Sequence, residues 1–367
     1  MTAAPGVIRD SIINYLESLD GEATLREIRN AVQTNLGSVR SSSVRSYLNL
    51  NVGRLFERTG RGQYRLLTSE ARNVQRIGLS PPIAIDRAIL FHANCFDWLS
   101  ACEPNSIHAV VTDPPYGLTE YSEKEMSKLR SGKGGVWRIP PSFDGHRRAP
   151  LPRFTIMNDA DRKQLYTYFR RLSVLLLRAI VPGGNVVVAS NPLLSHIVAS
   201  AMVEGGLELR GNIARLTMTM RGGDRPKNAH YEFEDVSVMP RSQWEPWVVL
   251  RRPIEGRVQD NLRKWKTGGF RRLSPERPFG DVIKSSPTTA AERSIAPHPS
   301  LKPQDFLRQL VRASLPLGEG VVLDPFAGSG STLAAANAVG YQSVGVEADP
   351  KFIRLAVDAI PRLTLLG

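Results

Sequence analysis

The 367-residue sequence is poor in cysteine, with only Cys95 and Cys102. Two cysteines are too few for a disulfide framework or a four-ligand zinc site, and we predict no metal site. Long apolar runs are also missing, because the longest stretches, such as 172–181, are interrupted and too short to cross a bilayer. The first residues lack the charged-then-apolar pattern of a signal peptide. We therefore expect a soluble, cytoplasmic protein with no membrane partner.

Acidic residues are also in deficit, since 48 Lys and Arg stand against 35 Asp and Glu. The resulting net charge of +13 is concentrated in three segments. Eight arginines lie between residues 36 and 80 against two glutamates, and eleven Lys or Arg lie between 251 and 297 against five acids. The stretch 119–157 is basic as well and is predicted to be a mobile loop. A merely solvated surface would intersperse the two signs, so this distribution favours a nucleic acid partner.

The N-terminal residues show the pattern of a small helical domain. Apolar residues from Ile8 to Leu19 have helical spacing, and Thr24 is placed to cap a second helix. A third helix is predicted over 41–48, followed by a hairpin around the turn at 59–62. This order resembles a winged helix-turn-helix over residues 1–70, with 71–87 as a linker. The predicted DNA-contacting residues of this domain are Arg40, Arg45 and Arg61. A helical domain that contacts protein is the alternative.

From residue 88 to 367, apolar strand patterns alternate with amphipathic helices, which predicts an α/β domain with a mostly parallel sheet. The predicted strands are Ala88–His92, His108–Thr112, Asn185–Ser190, Trp247–Arg251, Val321–Leu323 and Ser343–Val346, and the clearest helices are Asp159–Ile180 and Leu193–Val203.

A carboxylate, two prolines and an aromatic ring follow the strand His108–Thr112 directly. The segment reads Asp113-Pro114-Pro115-Tyr116. A strand that simply stops at a proline turn would explain Asp-Pro alone. The carboxyl end of a strand in an open α/β sheet is, however, where such sheets bind ligands.

A second strand-turn-helix pattern reads VVLDPFAGSGST over 321–332. Glycines allow a ligand to approach the backbone, and the helix N-terminus offers unpaired N–H groups. Glu347, at the end of the next strand, is placed to hold the ribose hydroxyls of a nucleoside. Leu333 replaces the third glycine of a dinucleotide fingerprint, which argues against a pyrophosphate cofactor. The predicted cofactor-binding residues of this turn are Asp324, Pro325, Phe326, Gly328, Gly330, Ser331 and Thr332.

These two motifs together resemble those of the DNA amino-methyltransferases that use S-adenosyl-L-methionine. The catalytic motif precedes the cofactor motif, as in the circularly permuted β class, whose fold is a Rossmann-like methyltransferase sheet. Asn94-Cys95 resembles the adenine-edge contact, although the family usually has Asp at the place of Asn94. The segment from His298 to Lys302 resembles the one that closes over the methionine part of the cofactor, and 244–247 resembles the last sheet element. The resemblance covers about residues 88–360.

The resemblance implies methyl transfer to the exocyclic amino group (N6) of an adenine flipped out of double-stranded DNA. Asp113, which is also predicted to bind the cofactor, and the Pro114 carbonyl would each accept a hydrogen bond from the target amino group, because localising the nitrogen lone pair makes it nucleophilic. Pro115 would stiffen the turn, and Tyr116 would stack on the base. Segment 252–297 corresponds to the target-recognition region. Its predicted DNA contacts are Arg263, Lys264, Lys266, Arg271 and Arg272, and those of the basic loop are Arg147 and Arg148.

Three other functions stay open at this point. Cytosine-N4 methyltransferases resemble this chain closely but more often carry Ser in place of Asp113. RNA or protein amide methyltransferases have a similar motif, but the motif order and the winged-helix pattern count against them. A non-catalytic DNA-binding regulator is a third alternative. No Pro-Cys dipeptide occurs, which disfavours a covalent cysteine mechanism at cytosine carbon 5. The sequence leaves the target sequence, association with the nucleoid, a homodimer and a cognate restriction endonuclease as open expectations.

Overall fold

A computed structural model of the chain describes residues 7–19, 21–37, 44–45, 48, 52, 56–60, 62–66, 81–115, 142–143, 146–147, 158–217, 225–226, 228–298 and 300–366. Contacts between Cα atoms divide the chain into two units, Met1–Pro82 and Ile83–Gly367. Within the described ranges, no helix is long and apolar enough to cross a membrane.

In its described residues, the N-terminal unit contains two helices and a small three-stranded antiparallel sheet. Its elements are α1 (Val7–Leu19), β1 (Glu22–Thr24), α2 (Leu25–Leu36), β2 (Phe56–Gly60) and β3 (Gln63–Leu66), with the sheet order β1-β3-β2. A capping box joins Thr24 and Glu27 at the start of α2. Ile12, Ile28 and Phe56 are fully buried in the core of the unit.

Both helices and the hairpin therefore lie where the sequence predicts them. Of the predicted third helix, only Val44, Arg45 and Leu48 are described, and Arg45 is exposed. Arg40 and Arg61 lie outside the described residues, so the winged helix stays a prediction.

The second unit is built on a nine-stranded, mostly parallel sheet, as the sequence predicts. In chain order its strands are β4 (Ile83–Ile85), β5 (Ala88–His92), β6 (Ile107–Thr112), β9 (Ile180–Ala189), β10 (Glu208–Leu216), β11 (Trp244–Arg251), β12 (Val282–Lys284), β13 (Val321–Asp324) and β14 (Gln342–Glu347). The spatial order is β12-β10-β11-β9-β6-β13-β14-β5-β4. A separate hairpin consists of β7 (Ser142–Phe143) and β8 (His146–Arg147).

Helices cover the faces of the large sheet. They are α3 (Cys95–Ala101), α4 (Asp159–Ala179), α5 (Ser195–Glu204), α6 (Val258–Trp265), α7 (Ala290–Ile295), α8 (Gln304–Ser314), α9 (Ser331–Ala338) and α10 (Pro350–Leu365). Every residue of β9 is buried, as expected for a central strand covered on both faces. On one face, Trp247 of β11 packs against Phe306 of α8, with ring centroids 5.2 Å apart and both side chains fully buried.

The connections leave a crevice between β6 and β13. These strands are parallel neighbours. The connection from β13 through α9 leads to β14 on one side, whereas that from β6 through α4 leads to β9 on the other. The connections therefore diverge above the carboxyl ends of β6 and β13, which is the topological switch point where open α/β sheets bind ligands.

The strand β11 runs against this direction. It is antiparallel to β9, with Trp247 opposite Ala189 and Arg251 opposite Asn185. Its first residues therefore lie at the edge formed by the carboxyl ends of β6, β9 and β13, which we call the catalytic edge. Its last residues lie at the opposite edge. The sequence predicts β11 but not its direction, and it misses β4, β10 and β12. Strand β4 lies within the predicted linker 71–87 but belongs to the large sheet.

Candidate active site

Asp113 follows β6 directly and lies at the catalytic edge of the sheet. Its side chain is largely buried, with 14% of its surface exposed. Pro114 is buried beside it, and Pro115 is exposed. The predicted base-stacking residue Tyr116 lies outside the described residues, as does Arg148, and nothing is described of the Arg147 side chain in β8.

A second carboxylate, Asp324, ends the neighbouring strand β13 and stabilises the turn that follows it. Its Oδ1 accepts hydrogen bonds from Thr112 Oγ1 at 2.6 Å and from the Phe326 N–H at 3.1 Å. Burial, together with the nearby charge of Asp113, raises the pKa of Asp324 to about 6. Asp324 therefore links the two strands that flank the crevice.

The glycine turn after β13 has the conformation that its sequence requires. Gly328 and Gly330 have φ angles of +51° and +81°, which side chains rarely tolerate. A Cβ on Gly330 would lie 2.4 Å from Ile360, and one on Gly328 would lie 3.2 Å from His298 Nε2. Helix α9 begins at Ser331, so the turn presents a helix N-terminus to the crevice.

Glu347, the last residue of β14, lies beside this turn. Its Oε2 accepts a hydrogen bond from the Gly328 N–H and its Oε1 accepts one from the Asp349 N–H, both at 2.8 Å. The two bonds hold a carboxylate at the end of the strand next to the glycine turn, where the sequence predicts the ribose contact.

His298 closes the same crevice from the segment before α8. Its Nδ1 accepts a hydrogen bond from the Ser300 N–H at 3.1 Å, and its ring meets the edge of Phe352, with centroids 4.4 Å apart. Burial and the charge of Lys302 lower the pKa of His298, which favours the neutral imidazole. The structure therefore brings His298 against the glycine turn, as the motif predicts.

Asn94 and Cys95 start α3, immediately after β5. Asn94 caps the helix by accepting a hydrogen bond from the Phe96 N–H at 2.9 Å. Cys95 is buried, and burial raises the pKa of its thiol to about 12. A thiol in that state is a poor nucleophile, in agreement with a mechanism that uses no cysteine.

Lys302, predicted as a cofactor contact, forms ion pairs with two carboxylates. Its Nζ lies 2.9 Å from Asp113 Oδ2 and 2.8 Å from Glu245 Oε1. Glu245 in turn pairs through Oε2 with Arg215 Nη1 at 2.9 Å. Sequence reasoning noted the 244–247 segment only as a sheet element and missed Arg215 entirely. The only sequence signal for Arg215 is that it is a polar residue in a segment where apolar and polar residues alternate.

One cleft contains most of these residues. Its walls are formed by the end of β6, the glycine turn and the 298–302 segment, and include Asp113, His298, Ser300, Lys302, Phe326, Gly328, Ser331 and Thr332. A nucleoside cofactor needs hydrogen-bond donors for its polar groups and a carboxylate for its ribose hydroxyls. The start of α9 offers backbone N–H groups, Gly328 has no side chain to block the ligand, and the Glu347 carboxylate lies beside the turn. The residues present therefore fit S-adenosyl-L-methionine.

The basic residues predicted to contact DNA in the recognition region lie elsewhere. The segment that contains them follows β11 and therefore begins at the edge of the sheet opposite Asp113. Arg271 donates a hydrogen bond to Tyr341 Oη at 2.8 Å, just before the start of β14. Arg263 and Lys264 pair with acids of their own segment, Asp260 and Glu255. The structure thus does not bring Arg263, Lys264, Lys266, Arg271 or Arg272 together with the catalytic edge, and their contact with DNA stays a prediction.

Two other segments do lie at the catalytic edge. Lys284 at the end of β12 is opposite Leu216 at the end of β10, so 285–297 begins there. The connection 217–243 joins Leu216 to Trp244, which are paired at the same edge. In its described part, Tyr231 is 81% exposed. Sequence reasoning missed 217–243, because nothing local shows which end of a sheet a connection leaves from.

Comparisons with known proteins find similarity to DNA methylases. The DNA methylase family model N6_N4_Mtase matches residues 208–358. The type II methyltransferase M2.DpnII of Streptococcus pneumoniae is 22% identical over 272 residues, covering 74% of this chain and 88% of the relative. The type II methyltransferase M.Cfr9I of Citrobacter freundii is 25% identical over 311 residues, covering 80% and 94%. The solved structure of TTHA0409 from Thermus thermophilus, complexed with S-adenosyl-L-methionine, is 20% identical with a TM-score of 0.49, covering 77% of this chain and 96% of that one.

The family match includes β10, β11, the 298–302 segment, the glycine turn and Glu347. Asp113 lies outside the matched range but lines the same cleft as Trp247 of β11, the 298–302 segment and the glycine turn. The match over residues 208–358 and the placement of the motifs together show that this chain is similar to the N6/N4 DNA methylases.

Proposed function

We propose that this chain methylates N6 of adenine in double-stranded DNA. The observation that carries the proposal is the buried carboxylate of Asp113 at the end of β6, one strand away from the glycine turn. Related cytosine-N4 enzymes more often carry Ser at this position, so the carboxylate favours adenine.

The reaction follows from the placement of these groups. S-adenosyl-L-methionine, when bound, supplies a methyl group made electrophilic by the adjacent sulfonium. The Asp113 carboxylate accepts a hydrogen bond from one N–H of the target amino group, and the Pro114 carbonyl accepts a hydrogen bond from the other. Both acceptors are held in place at the end of a rigid strand, and their positions localise the amino lone pair. The amino group is otherwise paired inside the duplex, so the base has to leave the stack, and Tyr116 is proposed to stack on it.

Product analysis tests the proposal directly. The purified chain is incubated with plasmid DNA and methyl-labelled S-adenosyl-L-methionine, and the DNA is digested to nucleosides. We expect the label in N6-methyladenine. Label in N4-methylcytosine would establish the cytosine-N4 alternative. A chain that binds the cofactor but labels neither base would be the non-catalytic regulator.

DNA contact by the N-terminal unit is a separate proposal, which rests on its arginines, including Arg40, Arg45 and Arg61. Each lost phosphate contact lowers the slope of log affinity against log salt by about 0.9. We therefore expect that a variant lacking residues 1–82 binds DNA with a slope smaller by at least about 2, while it methylates the same sequence. Fluorescence anisotropy at several salt concentrations measures the slope, and unchanged S-adenosylhomocysteine binding is the folding control. An unaltered slope would mean that the unit contacts protein or supports the fold.

Two further expectations stay predictions. One is that the chain forms a homodimer, and the other is that a restriction endonuclease acts with it.

A further inference from the structure

Four charged side chains form a connected array at the catalytic edge. Asp113 follows β6, Arg215 lies in β10, Glu245 lies in β11 and Lys302 precedes α8. Lys302 lies between the two carboxylates, 2.9 Å from Asp113 and 2.8 Å from Glu245. Arg215 extends the array on the far side of Glu245, at 2.9 Å. The array therefore connects the catalytic carboxylate to two strands on the other side of β9.

The far end of the array is held by several contacts. Glu245 Oε2 also accepts a hydrogen bond from Trp247 Nε1 at 3.3 Å. Arg215 donates from Nε to Ser285 Oγ at 3.0 Å, and its guanidinium lies over the ring of Phe306, 5.1 Å from the centroid. Since Trp247 and Phe306 belong to the fully buried core, Glu245 and Arg215 are anchored rather than free to reorient.

The array carries no net formal charge, because two carboxylates face two cations. All four side chains are largely buried, with exposed fractions between 9% and 14%. Burial opposes charge on Glu245, but Lys302 and Arg215 lower its pKa to about 2. Burial likewise opposes charge on Lys302, but Asp113 and Glu245 raise its pKa. Each side chain of the array therefore stays charged because an oppositely charged neighbour contacts it. Removing one side chain would leave the charge of its neighbour buried and uncompensated.

The location of the array relative to the reaction follows from the proposed function. The target amino group is hydrogen-bonded to Asp113, and the methyl group has to lie roughly 3 Å from the amino nitrogen for transfer. The sulfonium is then within roughly 8 Å of the Asp113 carboxylate and within roughly 11 Å of the Lys302 ammonium that contacts it. A lysine cation so close to a sulfonium cation disfavours the cofactor unless a negative charge offsets it.

We propose that Glu245, supported by Arg215, compensates Lys302, so that Lys302 positions the Asp113 carboxylate without repelling the cationic methyl donor. Lys302 is then a positioning residue that acts through Asp113, and Glu245 tunes the preference of the site for the charged cofactor over its neutral product. Asp324 is outside the array, because its carboxylate is bonded to Thr112 and to the turn.

The test compares two ligands that differ in charge at sulfur. S-adenosyl-L-methionine carries a sulfonium, whereas S-adenosylhomocysteine is neutral there. Dissociation constants for both are measured by calorimetry on the full-length chain and three variants. Glu245→Gln changes the array by +1, and we expect it to weaken binding of the sulfonium ligand relative to the neutral one by about tenfold. Lys302→Met changes the array by −1 and should shift the ratio about tenfold the other way. The double variant is neutral again and should return the ratio to within about threefold of wild type.

The ratio of the two dissociation constants distinguishes an electrostatic effect on the ligand from a general loss of structure. A purely structural role would weaken both ligands equally and leave the ratio unchanged in the single variants, and that result would overturn the inference. Glu245→Asp and Lys302→Arg keep the charges and should keep the wild-type ratio, so they serve if a neutral variant does not fold. Failure of the wild-type chain to bind S-adenosyl-L-methionine at all would instead refute the proposed function on which this inference rests.

Discussion

Replacing Asp113 with alanine is expected to lower the rate of methyl transfer by at least about 10³-fold, even at saturating cofactor and DNA. In the proposed mechanism the carboxylate accepts a hydrogen bond from the target amino group, so its loss removes an interaction that is needed in the transition state. Affinity for S-adenosylhomocysteine should change by less than about threefold, because Glu347 and the glycine turn hold that ligand. Single-turnover transfer of labelled methyl groups measures the rate, and calorimetry measures the affinity.

Asp358→Ala is the matched control for this variant. Asp358 is an exposed carboxylate on α10 that has no part in the site. Its replacement should leave both transfer and affinity at wild-type values. Near-normal turnover in Asp113→Ala would show that the carboxylate only shapes the turn after β6, and the mechanism proposed above would be wrong.

Replacing Glu347 with alanine is expected to have the opposite effect, on binding rather than on chemistry. Hydrogen bonds from ribose hydroxyls to a carboxylate contribute about 1.5 to 3 kcal/mol each, so cofactor affinity should fall by about 100-fold or more. The Gly328 and Asp349 N–H groups also lose their acceptor. At cofactor concentrations high enough to saturate the variant, the transfer rate should return to within about tenfold of wild type.

Two further variants check the cause of that loss. Glu347→Gln keeps an oxygen acceptor without the charge and should lie between alanine and wild type in affinity. Glu319→Ala removes an exposed carboxylate before β13 and should have no effect. A Glu347→Ala chain with unchanged cofactor affinity would place the ribose elsewhere in the cleft.

If both results are obtained, they assign separate functions to the ends of β6 and β14, the two strands on either side of β13. Asp113 at the end of β6 would then act on the target amino group and Glu347 at the end of β14 on the cofactor, with the glycine turn after β13 between them. Only the first variant should resist rescue by added cofactor. Such a division is what the crevice at the topological switch point provides.

The sequence by itself determined the fold class, the cofactor motif and the catalytic motif. Each depends on residues that are adjacent in the chain. The apolar run at the end of the buried strand β9, the capped helix α2 and the turn at Gly328 and Gly330 are encoded by local periodicity and by backbone preferences. Such patterns can be recognised in the sequence without knowing which other segment they pack against. For the same reason, Asp113 and Glu347 could be assigned to strand ends before the order of the strands was known.

Only the tertiary structure decided which distant residues meet at the site. Arg215, Glu245 and Lys302 join Asp113 across up to 189 residues, and no local pattern predicts that contact. The direction of β11 is equally invisible in its sequence, because an apolar strand reads the same in a parallel or an antiparallel pair. Because β11 pairs with β9 in antiparallel direction, Glu245 lies at the catalytic edge. The basic segment after Arg251 therefore begins at the opposite edge of the sheet. The antiparallel direction of β11 thus brings the Glu245 carboxylate to Lys302, and it directs the arginines of the predicted recognition region away from Asp113.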